Sequence, residues 1–271
     1  MNTINLTQEY IIEKYKLDKL EKCLDRIEDD FANKINNGDY KTSDSYFEIV
    51  LRSTAKSLLT FRELILLCKN GFPDGALGLS RNIFEQFIIL TRFEIENLDT
   101  NRNRLVEQFC DDYDIQRCKH LKYMYRYAEK DTTQYDKTLE GYKNKYSISN
   151  FSDYWWCGEK SFSKLCRFVI ENSTDNMKTM IKNLHISYKR ACLDLHACSL
   201  GNACRICNTY PALDLSPTDK GQEYALDLSV KSFILIAAIA YRELDLDSSK
   251  PLEELNSLAY HYQCIIQNEA D

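Results

Sequence analysis

The chain has 271 residues, 35 basic against 41 acidic side chains and a net charge of −6, so it buries a substantial core but has no global attraction for nucleic acid or an anionic membrane. Any polyanion site has to be a local patch. Eight glycines and four prolines, about a third of ordinary usage, supply too few turns for an all-β fold, and no GxGxxG or P-loop pattern occurs.

Apolar residues recur in steps of three and four at Leu20, Leu24, Ile27, Phe31 and Ile35, one stripe of an amphipathic helix. A single N-terminal helix over about residues 8–38 is expected, with Gly38 at its end. Ser45 and Glu48 have the capping-box form, and the helix they open runs to Lys69. Asn70-Gly71-Phe72-Pro73-Asp74 supplies a stop and a new start. The next helix, about Gly75 to Asn97, is apolar nearly all round, which marks it as central. A more polar helix follows over Asn101 to about Lys130, then a Tyr- and Lys-rich stretch of weak periodicity, loop or exposed helix, to about Asn150. Ser161 to Ile170 and Asn176 to about Ser199 read as helices, Gly201 to Gly221 as irregular chain, and Gln222 to Leu244 and Leu252 to Gln267 as the last two helices. With no linker between two cores, the sequence describes one all-α domain, a bundle of about seven or eight helices.

The eleven cysteines are odd in number, and MNTINLTQEY lacks the form of a signal peptide. The expectation is a cytoplasmic protein with reduced thiols. The most apolar run, Phe233 to Tyr241, is far shorter than the roughly 20 residues a membrane span needs.

Arg81 and Glu85 in LSRNIFEQFIIL stand four apart on one helix face among apolar neighbours. Such a pair is either a structural ion pair or the lining of a polar site. Arg190 precedes His196 by six positions, within the R-x(4-6)-H spacing of HEPN-type ribonucleases, helical proteins that cut RNA without a metal.

FRELILLCKNGFPDGALGLSRNIFEQF resembles domain-of-unknown-function family 5677, a bacterial family with a helix pair, a short Gly-containing turn and then R-x-x-x-E, here Arg81 and Glu85. WWCGEKSFSKLC is similar to its W-x-G-K-S-like element through Trp156, Gly158, Lys160 and Ser161, with one extra residue before Lys160. Tyr188 and His196 fit the family's later tyrosine and histidine, although His-Ala-Cys-Ser replaces the usual H-x-S or H-P-S. The resemblance covers about residues 45–200. It implies a HEPN-like bundle and moves Arg81, Glu85 and His196 toward a functional role, with Tyr188 and Arg190 as additional site residues.

Arg117, Lys119, Lys122, Arg126 and Lys130 alternate with Tyr123, Tyr125 and Tyr127, the mixture that holds single-stranded RNA by phosphates and bases. The alternative is a solvated face with its tyrosines packed inward. Cys204 and Cys207 form a CxxC, and with Cys192, His196 and Cys198 a zinc site can be written. Only one tight pair is present, however, and no metal or other cofactor is expected. Glu-x-x-His pairs for di-iron chemistry do not occur.

Two functions follow. In the first, a metal-independent endoribonuclease of phage defence or a toxin system, His196 is general acid or base, Arg81 or Arg190 stabilises charge on the phosphate, and Glu85 orients them. Its partners would be RNA and an antitoxin or defence protein. HEPN-type proteins also commonly place their sites at a two-fold interface, so a homodimer is expected. In the second, a helical interaction protein, Arg81, Glu85 and His196 form a buried network that sets helix register.

Overall fold

The computed structural model describes residues 8–38, 45–96, 99–195 and 221–268. These form ten α-helices: α1 Gln8–Lys14, α2 Leu17–Asn36, α3 Ser45–Lys69, α4 Pro73–Glu94, α5 Asp99–Tyr127, α6 Thr133–Tyr146, α7 Phe162–Asn172, α8 Asp175–Leu195, α9 Gln222–Glu243 and α10 Ser249–Asn268. One 3-10 turn, Trp155–Cys157, precedes α7, and no strand occurs among the described residues. The protein is all-α, with more helices than the seven or eight expected. The segment from Gly201 to Pro217 lies outside the described residues.

One correction and one open reading now decided raise the count. The expected single helix over residues 8–38 is broken at Lys16, whose φ of 50° is left-handed. The break frees two carbonyls, and both find donors: His261 Nε2 lies 2.9 Å from the Lys14 oxygen and the Tyr262 hydroxyl 2.9 Å from the Tyr15 oxygen. The fully buried Tyr15 side chain donates in turn to Glu223 at 3.1 Å. The Tyr- and Lys-rich stretch is the second addition. Of the two forms left open for it, it takes the exposed helix, and α6 buries no residue.

The chain divides into two compact units, the first made of residues 1–90 and 175–271, the second of Thr91–Thr174. The first boundary falls inside α4, so no linker composition marks it. In the first unit, α9 packs on α10, α3 and α8, and α2 on α3 and α10. Both α9 and α4 are thus core helices; α4 itself buries Ala76, Leu77, Ile83, Phe84, Phe87, Ile88 and Leu90. Phe233 of α9 meets Phe61 edge-on at 5.6 Å, and Tyr241 meets Phe31 at 4.8 Å. By length and composition α9 is able to cross a membrane, but 67% of its most apolar window is buried inside the protein. Between α3 and α4, Gly71 takes a φ of 74° while the Phe72 N–H bonds the Leu67 carbonyl and the Gly71 N–H that of Cys68, each at 3.0 Å. This is a Schellman stop that glycine makes without strain.

In the second unit α5 packs on α6 and on the Trp155–Cys157 turn. Trp156 stacks on Phe93 at 5.3 Å and meets Phe109 edge-on at 4.9 Å, and Trp155 Nε1 donates to Asp112 at 2.6 Å. Burial raises the Asp112 pKa, an effect that hydrogen bonds from Gln116 and Trp155 only partly offset. Acidic side chains along α5 hold α6: Lys145 bridges Asp111 at 2.7 Å and Glu107 at 2.8 Å, and Tyr142 donates to Asp114 at 3.3 Å. Gly158, at a φ of 82°, closes the tryptophan turn, and Ser161 caps α7 through the Lys164 N–H. Trp156, Gly158 and Ser161 of the W-x-G-K-S-like element thus have packing, turn and capping roles here.

Candidate functional site

A largely apolar stretch of α4 carries Arg81 and Glu85 one turn apart, and α8 brings Tyr188 against both. The Tyr188 hydroxyl donates to Glu85 Oε1 at 2.9 Å, and the Arg81 guanidinium lies 5.4 Å from the centre of the Tyr188 ring. Tyr188 is buried, whereas Arg81 and Glu85 are half-buried. Desolvation works against the Arg81 charge, but a hydrogen bond with Tyr188 and the nearby Cys192, Tyr188 and Glu85 outweigh it, so the guanidinium pKa is raised. Burial in the first place, and Glu85 beside it, push the Tyr188 phenol well above its usual range and keep it a donor. A cation, a phenol and a carboxylate thus form one relay, in which Tyr188 orients its two neighbours. Arg81 Nε is buried and has no acceptor among the described residues.

Sequence reasoning missed His185. Its ring stacks on Phe84 at 6.4 Å and lies 6.1 Å from the Tyr188 ring. Burial, then Lys189, lowers its pKa, so the imidazole is neutral at pH 7, and its Nε2 has no partner among the described residues. The available signal was its position three residues before Tyr188, on the same face of α8. Arg190 is exposed and stands over the Tyr224 ring of α9 at 4.1 Å. His196 lies outside the described residues, as do Cys198, Cys204 and Cys207; Cys192 is half-buried on α8. Among the described residues no group of three or more His, Cys, Asp or Glu side chains is placed to hold a metal. Several thiols serve as buried apolar groups, with burial pushing Cys23 up to about 11 and Cys157 up to about 12.

In the second unit, Lys119, Lys122 and Arg126 line one cleft of about 420 Å3 between α5 and α6, and Arg117 does not. The tyrosines are not packed inward: Tyr123 is 65% and Tyr127 83% exposed. Lys122 pairs with Asp136, and Lys119 donates to the Phe151 carbonyl at 3.0 Å.

These features define an all-α protein with a polar relay set between two helices of its first unit. The model of the Family of unknown function (DUF5677) matches residues 47–203, and the chain belongs to that family. The match takes in Arg81, Glu85, His185, Tyr188 and the whole second unit, and leaves out α9 and α10. No curated protein and no solved structure matches the chain.

Proposed function

We propose that the chain is a HEPN-like, metal-independent endoribonuclease with its reaction centre at the α4–α8 relay. The observation that carries this reading is the Arg81–Tyr188–Glu85 arrangement, a half-buried cation fixed by a ring and a phenol. A guanidinium held in this way suits the developing charge on a phosphoryl group. In the reaction, the RNA 2'-oxygen forms a bond to phosphorus as its proton passes to a base, and the bond to the 5'-oxygen breaks as that oxygen takes a proton from an acid. The products are a 2',3'-cyclic phosphate and a 5'-hydroxyl. His196 serves as the acid or the base, and Arg81 stabilises the phosphate, with Arg190 as its substitute. Glu85 and Tyr188 position Arg81. A cytoplasmic setting, a homodimer and an antitoxin or defence protein as partner belong to the same reading.

Incubating RNA with the purified protein in EDTA tests it. Wild type should release fragments ending in 2',3'-cyclic phosphate, while Arg81→Ala and His196→Ala should not, with their helical circular dichroism intact. Absence of cleavage by wild type, or full activity in His196→Ala, overturns the reading.

The second reading is an interaction protein in which the relay sets helix register. It is favoured by Glu85 being already engaged by Tyr188. On this reading Arg81→Ala, which removes a half-buried cation lying over the Tyr188 ring, costs about 0.5–2 kcal/mol.

A further inference from the structure

We propose that the α5–α6 cleft of the second unit holds single-stranded RNA, with a base stacked on the Tyr123 ring and the adjoining phosphate on Arg126. This rests on the RNA reading above and names the groups that hold the strand.

Lys119, Lys122, Tyr123 and Arg126 line the cleft from α5. Their spacing of three, four and seven puts them on one helix face, over about 10 Å at 1.5 Å per residue. Lys143 faces them from α6. The lining holds four cations against two carboxylates, Asp136 and Glu140, so the cleft is cationic within a chain of net charge −6. Its cations differ in availability. Lys122 pairs with Asp136, Lys143 reaches Glu140 at 3.3 Å, and Lys119 is held by the Phe151 carbonyl. Arg126 is exposed and makes no ion pair among the described residues.

The rings decide the class of polyanion. Tyr123 is 65% exposed, and Tyr127, one turn further on, 83%. Tyr125 instead packs edge-on against Tyr135 at 5.2 Å. An exposed phenol ring three residues from an unpaired guanidinium offers a stacking platform beside a phosphate anchor, which unstacked bases use. An acidic peptide would engage the cations and leave the rings idle.

The test is fluorescence anisotropy with the full chain and a labelled 2'-O-methyl oligouridine, which has no 2'-hydroxyl and is not cleaved by the reaction above. Tyr123→Ala should weaken binding about five- to a hundred-fold, the range for one stacked base, with the salt dependence unchanged. Arg126→Ala should weaken it and reduce the slope of log K against log salt by about 0.7, one phosphate contact on a single strand. Lys56→Ala, an exposed charge change on α3, should do neither. The proposal fails if wild type does not bind the strand, if either cleft variant binds as wild type does, or if polyglutamate of equal length displaces the strand as well as RNA does. A protein that binds this strand but leaves unmodified RNA intact keeps the cleft and loses the ribonuclease reading.

Discussion

The Tyr188 hydroxyl donates to Glu85 Oε1 at 2.9 Å, joining α8 to α4 across 103 residues of sequence. Because the acceptor is a carboxylate and the donor is buried, the bond belongs to the stronger charge-assisted class. Tyr188→Phe keeps the ring under Arg81 and removes the hydroxyl that donates to Glu85 and accepts from Arg81. We expect a loss of about 1.5 kcal/mol in urea denaturation. In combination with Glu85→Ala the losses should fall short of additive by at least about 0.5 kcal/mol. Strict additivity would show that the two groups do not act as a unit.

His185 makes the first unit sensitive to mild acid. Burial, then Lys189, holds its pKa below the ordinary value. As pH falls through about 6.5, the unfolded chain takes up this proton before the folded one does. Stability is therefore full above that pH and declines below it. His185→Phe, which retains a ring against Phe84, should flatten the decline in melting temperature between pH 7 and pH 5. An unchanged slope would assign the acid sensitivity elsewhere.

Asp112 has the opposite sign. Its carboxyl pKa is raised by burial, so the folded state binds the proton more tightly and stability falls as pH rises above the ordinary carboxylate value of about 3.9. Asp112→Asn keeps an oxygen to accept from Trp155 Nε1 and Gln116 and carries no charge to desolvate. At pH 7 the variant should melt at or above the wild-type temperature, with the difference vanishing near pH 3. A clear loss of stability at pH 7 would mean that the charge itself holds the tryptophan turn.

The helix break at Lys16 depends on a side chain near the other end of the chain. Tyr262→Phe leaves the Tyr15 carbonyl buried without its donor, at a cost of about 1–3 kcal/mol. Lys16→Gly relieves a left-handed residue and should raise stability by up to about 1 kcal/mol. Chemical denaturation of both variants checks the pair of signs. A neutral Tyr262→Phe would show that solvent can satisfy the break.

Local rules made much of the fold readable. The stripe from Leu20 to Ile35 forms α2, Asn70-Gly71 ends α3 with a left-handed glycine, and Ser161 caps α7. Features set by distant partners were not readable. Nothing between Tyr15 and Leu17 announces a break whose carbonyls are satisfied 247 residues away by His261 and Tyr262. The face shared by Arg81 and Glu85 was visible from their spacing, and Tyr188 from the family resemblance. Their meeting depends on tertiary contact, as does the stacking of His185 on Phe84. In α5 the alternation of cations and tyrosines was legible, but whether the rings faced in or out was not. Weak periodicity in α6 carries no information about burial, because that helix buries nothing.

The second unit is one continuous stretch of chain, whereas the first is assembled from residues on both sides of it. During synthesis, then, the second unit is the first to have all its parts. The face of α3 that α9 covers, including Phe61, has to wait for Phe233 and the rest of the late, strongly apolar α9 to leave the ribosome. A truncated chain ending between residues 174 and 222 would have a complete second unit and an uncovered α3 face, and is the form most prone to aggregate or recruit chaperones.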